Sequence, residues 1–219
     1  MTRALLVDDH AFLREALALV MFQELPFTEV LQAGTLEEAR DVLRVHADVA
    51  LVLVRPALPD GDGVDALAQL RAATRAALVV MCRGDSPATL LAAIRTGADG
   101  FLPKSLPSAC MLEALRLVLS GGVYLPADAR DAAREVAGSA PDAAAPVEPL
   151  LSPRQVDVLR RLVEGKANKV ISRELEMSES TVKTHLAAIF RKLDANTRTQ
   201  AVVAATRLGF GGIDPASAG

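Results

Sequence analysis

At 219 residues and 51% hydrophobic, with a net charge of −3, the chain has apolar material for one large or two ordinary domains, which excludes wholesale disorder. The longest run without a charged residue, Leu117–Ala127, is too short to cross a bilayer, and Asp8-Asp9 stand where a signal-peptide core would lie. A cytoplasmic protein without membrane association is therefore expected. With no Trp and one Tyr, the cores must rest on Leu, Val, Ala and Ile, and the two cysteines, Cys82 and Cys110, lack metal or redox spacing.

The first 125 residues alternate short apolar runs with amphipathic patterns. Ala4–Val7, Glu29–Ala33, Val49–Val54, Leu78–Met81 and Gly100–Leu102 read as strands; Ala11–Phe22, Leu36–Val45, Val64–Ala73, Ala88–Thr96 and Ser108–Ser120 read as helices. Thr35 with Glu38 has the spacing of a capping box, and Ser86-Pro87 places proline at a first helical position. Strand–helix units in series require right-handed crossovers and a parallel sheet covered on both faces, which suits the uninterrupted apolar run Val49–Val54.

The character changes after residue 125. Ala127–Val136 has the pattern of a short extra helix, while Gly138–Pro146 holds alanines and prolines with little to bury and reads as a linker. A second domain opens at Ser152-Pro153-Arg154-Gln155, again a capping box with proline first. It continues through helices at Pro153–Glu164, Lys169–Leu175, Ser180–Leu193 and Thr199–Leu208. The expected division is 1–125, a linker 126–149, a helical domain 150–210 and a loose tail 211–219.

Charge divides the same way. Residues 1–147 carry 13 Lys/Arg against 19 Asp/Glu, whereas residues 148–210 carry 11 against 7. A basic second part suits a polyanion. Within it, Lys169–Leu175 and Ser180–Leu193, separated by Glu176–Glu179, have the layout of a helix-turn-helix. Wound at about 100° per residue, the second of these helices puts Val182, Leu186, Ile189, Phe190 and Leu193 on one side. Ser180, Lys183, Thr184, Ala187 and Arg191 fall on the other, a small, polar, basic face suited to a major groove. Periodicity alone favours a solvated face on an ordinary helical hairpin.

The residues go further. Leu151-Ser152-Pro153-Arg154-Gln155, Glu164-Gly165, Asn168–Leu175, Ser178–Leu186, Arg191-Lys192-Leu193 and Arg198–Ala201 together resemble the LuxR-type helix-turn-helix. The resemblance implies that Ser180–Leu193 is the recognition helix. It places base contacts at Lys183, Thr184 and Ala187 and backbone contacts at Lys169, Thr181 and Arg191. Some members of that family carry a long polar residue where Ala187 stands, so one base contact is weakened. Double-stranded DNA, as an inverted repeat bound by a homodimer, is the implied partner.

In the first part, Asp8-Asp9 end the first strand, where open α/β sheets place their sites. Adjacent carboxylates there can hold a divalent cation or simply cap a solvated turn. With Leu58–Gly63 and Gly97–Lys104 they resemble the receiver domain of response regulators across residues 3–122. The resemblance implies a flavodoxin-like (βα)5 fold of strand order 2-1-3-4-5. Both domains together resemble the NarL/FixJ family.

One residue departs from that pattern. The family's phospho-acceptor aspartate, four residues before the proline of the Leu-Pro turn, falls on Arg55, or on Leu53 if the count runs from the N-terminal side. Its Ser/Thr at the fourth strand end falls on Cys82, its lysine on Lys104 and its aromatic switch on Phe101. Asp8, Asp9, Arg55 and Lys104 sum to zero charge without an ion, and Arg55 can pair with a carboxylate bidentately. The expectation is a DNA-binding transcription regulator with an atypical receiver, without metal or cofactor, set by a protein or small-ligand contact. Two alternatives stay open: phosphotransfer to a displaced carboxylate, Asp60 or Asp62, and an interaction adaptor that no longer reads DNA. No nucleophile–base pair, phosphate-cradling glycine loop or metal-spaced His/Cys set supports an enzyme.

Overall fold

A computed structural model describes residues 2–61, 63–82, 87–126 and 151–210. The chain divides into two compact units, Met1–Leu119 and Ser120–Gly219. The extra helix expected at 127–136, the linker, the tail, Ser86 and Asp62 lie outside the described residues.

The first unit runs β1 (Arg3–Val7), α1 (Ala11–Glu24), β2 (Glu29–Ala33), α2 (Leu36–Val45), β3 (Val49–Val54), α3 (Gly63–Ala73), β4 (Ala77–Cys82), α4 (Pro87–Arg95), β5 (Gly100–Pro103) and α5 (Ser108–Leu119). The strands form one sheet of order β2-β1-β3-β4-β5, every pairing parallel. Consecutive residues of a strand face opposite sides of a sheet. Leu51, Val52, Leu53 and Val54 are all fully buried, so the sheet is covered on both faces, as a parallel sheet requires. Helix α2 packs on α3 and α3 on α4, while Arg116 of α5 reaches the Glu24 carbonyl at the end of α1.

The start of α2 shows how local chemistry fixes this frame. Thr35 Oγ accepts from the Glu38 N–H at 3.2 Å, but the Glu38 carboxylate accepts from Gly34, not Thr35, at 2.7 Å. The expected capping box is therefore made in one arm and displaced by one residue in the other. A second cap comes from a distant loop: Asp60 accepts from the Leu36 and Glu37 N–H groups at 2.7 and 2.9 Å. The turn Leu58–Gly61 that carries Asp60 presses close, and a Cβ at Gly61 would lie 2.9 Å from Leu36 Cδ2.

The second unit is helical over its described residues 151–210: α6 (Pro153–Val163), α7 (Asn168–Glu174), α8 (Glu179–Lys192) and α9 (Arg198–Arg207). Here the capping box is complete, Ser152 and Gln155 exchanging bonds at 3.1 and 3.3 Å. Helices α6, α7 and α9 each pack on α8, burying Val158, Leu159, Leu162, Ile171, Val182, Leu186, Ile189 and Ala201. Among the described residues no helix is long and apolar enough to cross a membrane.

Candidate nucleic-acid interface and receiver pocket

The connection between α7 and α8 is tight. Glu176 adopts φ 51°, and the Met177 N–H bonds the Ser172 carbonyl at 3.0 Å, turning the chain within four residues. Ser178 then caps α8, accepting from the Thr181 N–H at 3.1 Å. Val182, Leu186 and Ile189 are buried, Phe190 and Leu193 half-buried. Opposite them Ser180, Lys183, Thr184, Ala187 and Arg191 are exposed, with Thr181 beside them and Lys169 exposed on α7. The Thr184 hydroxyl donates to the Ser180 carbonyl at 3.0 Å, so its methyl is the group left for an apolar contact. Lys192 is drawn away from this face to Gln155 of α6 at 2.9 Å.

Behind the pair stands a residue to which the sequence reading gave no role. Arg198 at the start of α9 donates to Asn168 Oδ1 at 2.6 Å and to the Lys166 carbonyl, tying α9 to the start of α7. Burial pushes its guanidinium down to about 10. Its place in the quoted Arg198–Ala201 run was the only signal for it.

In the first unit the strand ends meet. Asp8 is buried; Lys104 reaches its Oδ2 at 3.2 Å, and His10 Nδ1 and the His10 backbone N–H reach its Oδ1 at 3.0 and 2.9 Å. Arg55 follows β3 directly, its backbone N–H bonding the Val7 carbonyl at 2.9 Å and its guanidinium bonding Asp9 Oδ1. Leu53, the other position that counting left open, is fully buried within β3 opposite Leu6. Burial pulls the Asp9 carboxyl up, but the hydrogen bond and charge of Arg55 outweigh it and hold the group below its ordinary range. Cys82 is buried at the end of β4, its carbonyl accepting from the Lys104 N–H at 2.8 Å, and Phe101 is fully buried on β5. The described structure thus pairs Asp8 with Lys104 and Asp9 with Arg55, with Cys82 joined through the Lys104 backbone.

His10 belongs to the same group and was not anticipated. Its Nδ1 lies 3.0 Å from Asp9 Oδ1 and 2.7 Å from an Arg55 nitrogen. A single ring nitrogen carries a hydrogen or a lone pair, so it serves the carboxylates or Arg55, not both. The residue directly after a strand-end carboxylate pair was the signal available. Asp8, Asp9 and His10 bring ligand atoms within 4.8 Å of one another. The set does not fit magnesium, which demands near-octahedral oxygen ligation, because Arg55 and Lys104 already take an oxygen from each carboxylate.

Two family descriptions match the chain, the response regulator receiver domain over residues 4–116 and the bacterial regulatory proteins of the luxR family over residues 149–205. The chain is a response regulator of the NarL/FixJ type. It is similar to a glycerol metabolism activator of Pseudomonas putida, 35% identical over 96% of this chain and 97% of that one. The nitrate/nitrite response regulator NarP of Escherichia coli is 28% identical over 92% and 93%. The RcsB response regulator of Salmonella typhimurium, a solved structure, shares the fold at 17% identity and TM-score 0.56, covering 92% of this chain and 98% of that one. This regulator is accordingly a DNA-binding transcription regulator, and the α7–α8 pair is the helix-turn-helix of its luxR-family domain.

Proposed function

We propose that this response regulator reads an inverted DNA repeat as a homodimer in the cytoplasm, and that its receiver is set without aspartyl phosphate. Lys183, Thr184 and Ala187 face the bases, while Lys169, Thr181 and Arg191 meet the backbone. Lys183 donates to guanine, the Thr184 methyl meets a thymine methyl, and Ala187 leaves one base step loosely read. The observation that carries the receiver half is Arg55 on Asp9: a fixed cation follows β3 directly, at the strand end where the family's aspartate accepts phosphate. The displaced-acceptor reading loses support at Asp60, whose two carboxylate oxygens cap α2. The balance between receiver states is then set by a protein or small ligand that binds one state more tightly. Intact-protein mass after acetyl phosphate and magnesium tests this. The expected result is no added phosphoryl group; a base-labile gain of one, with tighter operator binding, would overturn it.

A further inference from the structure

Helix α7 carries Lys169 but has little of its own to hold it in place. It is 7 residues long, Ile171 is its one buried side chain, and its N-cap Ala167 offers no side-chain bond to the first turn. So short a helix is not stable alone, and a single buried anchor does little to fix its roll. Polar bonds must set the direction in which Lys169 points.

They come from outside the helix. Lys166 precedes it and reaches Glu174 at its last position, Nζ lying 2.7 and 2.8 Å from the two carboxylate oxygens, and Arg161 of α6 pairs with the same group. Arg198 takes the other end. Its guanidinium donates to the Lys166 carbonyl and, at 2.6 Å, to Asn168 Oδ1, so it grips the chain on both sides of Ala167. That grip has a firm base: Arg198 is the first residue of α9, whose capping box is complete, Thr197 and Gln200 exchanging bonds of 3.2 Å each.

For stability alone a guanidinium is a poor choice at this place. A cation at a helix N-terminus opposes the helix dipole, and burial works against its charge. Its Nε is buried without a protein acceptor, and among the described residues no carboxylate pairs with it, Glu164 and Glu174 being bound by Arg161 and Lys166. What the group does supply is two donors diverging from one rigid plane, which the single nitrogen of a lysine does not.

We infer that Arg198 is a positioning residue for DNA binding: through Lys166 and Asn168 it sets the roll of α7 and so holds Lys169 against the phosphate backbone. The inference rests on the backbone contact proposed above for Lys169. It gives Arg198 no contact with DNA; the side chain acts through the turn that it grips. Arg198 thereby differs from Lys183, whose helix α8 is set by its own buried face of Val182, Leu186 and Ile189. Loss of Arg198 should weaken binding to every sequence alike and leave base preference intact.

A double-mutant cycle on the full chain tests this, with a random-sequence duplex as the probe and affinity followed across salt concentration. Lys169→Ala should weaken binding about fivefold and lower the salt slope by about one, as the loss of one phosphate contact requires. Arg198→Met, which keeps the aliphatic stem, should do nearly the same, and the double variant should lose no more than the worse single one. Arg198→Lys should not restore wild-type binding. Circular dichroism at the assay temperature checks that each chain is folded. If Arg198→Met is not, Asn168→Ala removes one of the two bonds from the other side and takes its place in the cycle, with the same expectation. A purely structural Arg198 would add its loss to that of Lys169→Ala and leave the salt slope alone, which would overturn the inference and leave the Lys169 contact standing. Full rescue by Arg198→Lys would overturn it too, charge alone then being enough. Undiminished binding by Lys169→Ala itself would instead remove the backbone contact, and the inference with it.

Discussion

Lys183 is where a single side chain should decide DNA reading. It stands exposed as the fifth residue of α8, a helix whose opposite side is the domain core, so shortening it disturbs no packing. Lys183→Ala should cost about 1–3 kcal/mol on the specific site and much less on random duplex. Fluorescence anisotropy against both duplexes checks it, and equal losses on the two would reassign Lys183 to the phosphate backbone. Arg55 is the matching residue in the receiver. Its role was readable from residue counting only as one of two positions, because a strand end cannot be fixed from an apolar run alone. Leu53 is buried within β3 while Arg55 contacts Asp9, which is why the proposal rests on Arg55. His10 escaped the sequence reading for a different reason: a lone histidine in a turn looks the same whether it faces solvent or carboxylates.

At the scale of elements, the loop after β3 is the informative case. Asp60 supplies two bonds to the first N–H groups of α2, which otherwise have no partner in their own helix. Those bonds hold its carboxyl below the ordinary value. A carboxylate depressed by folding contributes stability that is full above its unfolded pKa of about 3.9 and fades as pH falls through the lower folded value. Asp60→Ala should therefore cost about 1–2 kcal/mol near neutral pH, and the deficit should shrink as the medium is acidified below about pH 4. Urea melts of both chains across that range check it; a deficit that does not change with pH would mean that packing at Gly61 and Leu36, not the charge, holds the loop. The strands and helices themselves were legible: β2, α2 and β3 fall at the expected bounds because apolar period and cap residues agree there. What the sequence hid was long-range. The Glu38 arm slipped to Gly34, and the decisive cap on α2 came from Asp60, 24 residues from Leu36, which no local pattern announces.

At the scale of the whole molecule, the two halves carry opposite charge and two separate kinds of site, and the proposal of a receiver set without phosphate has to say what couples it to DNA. A two-fold protein on a pseudo-palindrome contacts both half-sites, and joining two helix-turn-helix domains makes the second contact intramolecular. Dimer formation alone is then enough to raise operator affinity. If Arg55 on Asp9 holds one receiver state, that state exists before any signal, and a phosphodonor has nothing to shift. The expected outcome is two chains per operator by light scattering, at an affinity unchanged by acetyl phosphate or by magnesium chelation. Salt must be matched in every comparison, because each released counterion changes the affinity by itself. A 1:1 complex of full affinity on a half-site would remove the dimer. A phosphodonor-dependent rise with magnesium present and none in its absence would return this receiver to the ordinary switch and make the Arg55–Asp9 pair a contact that phosphorylation breaks.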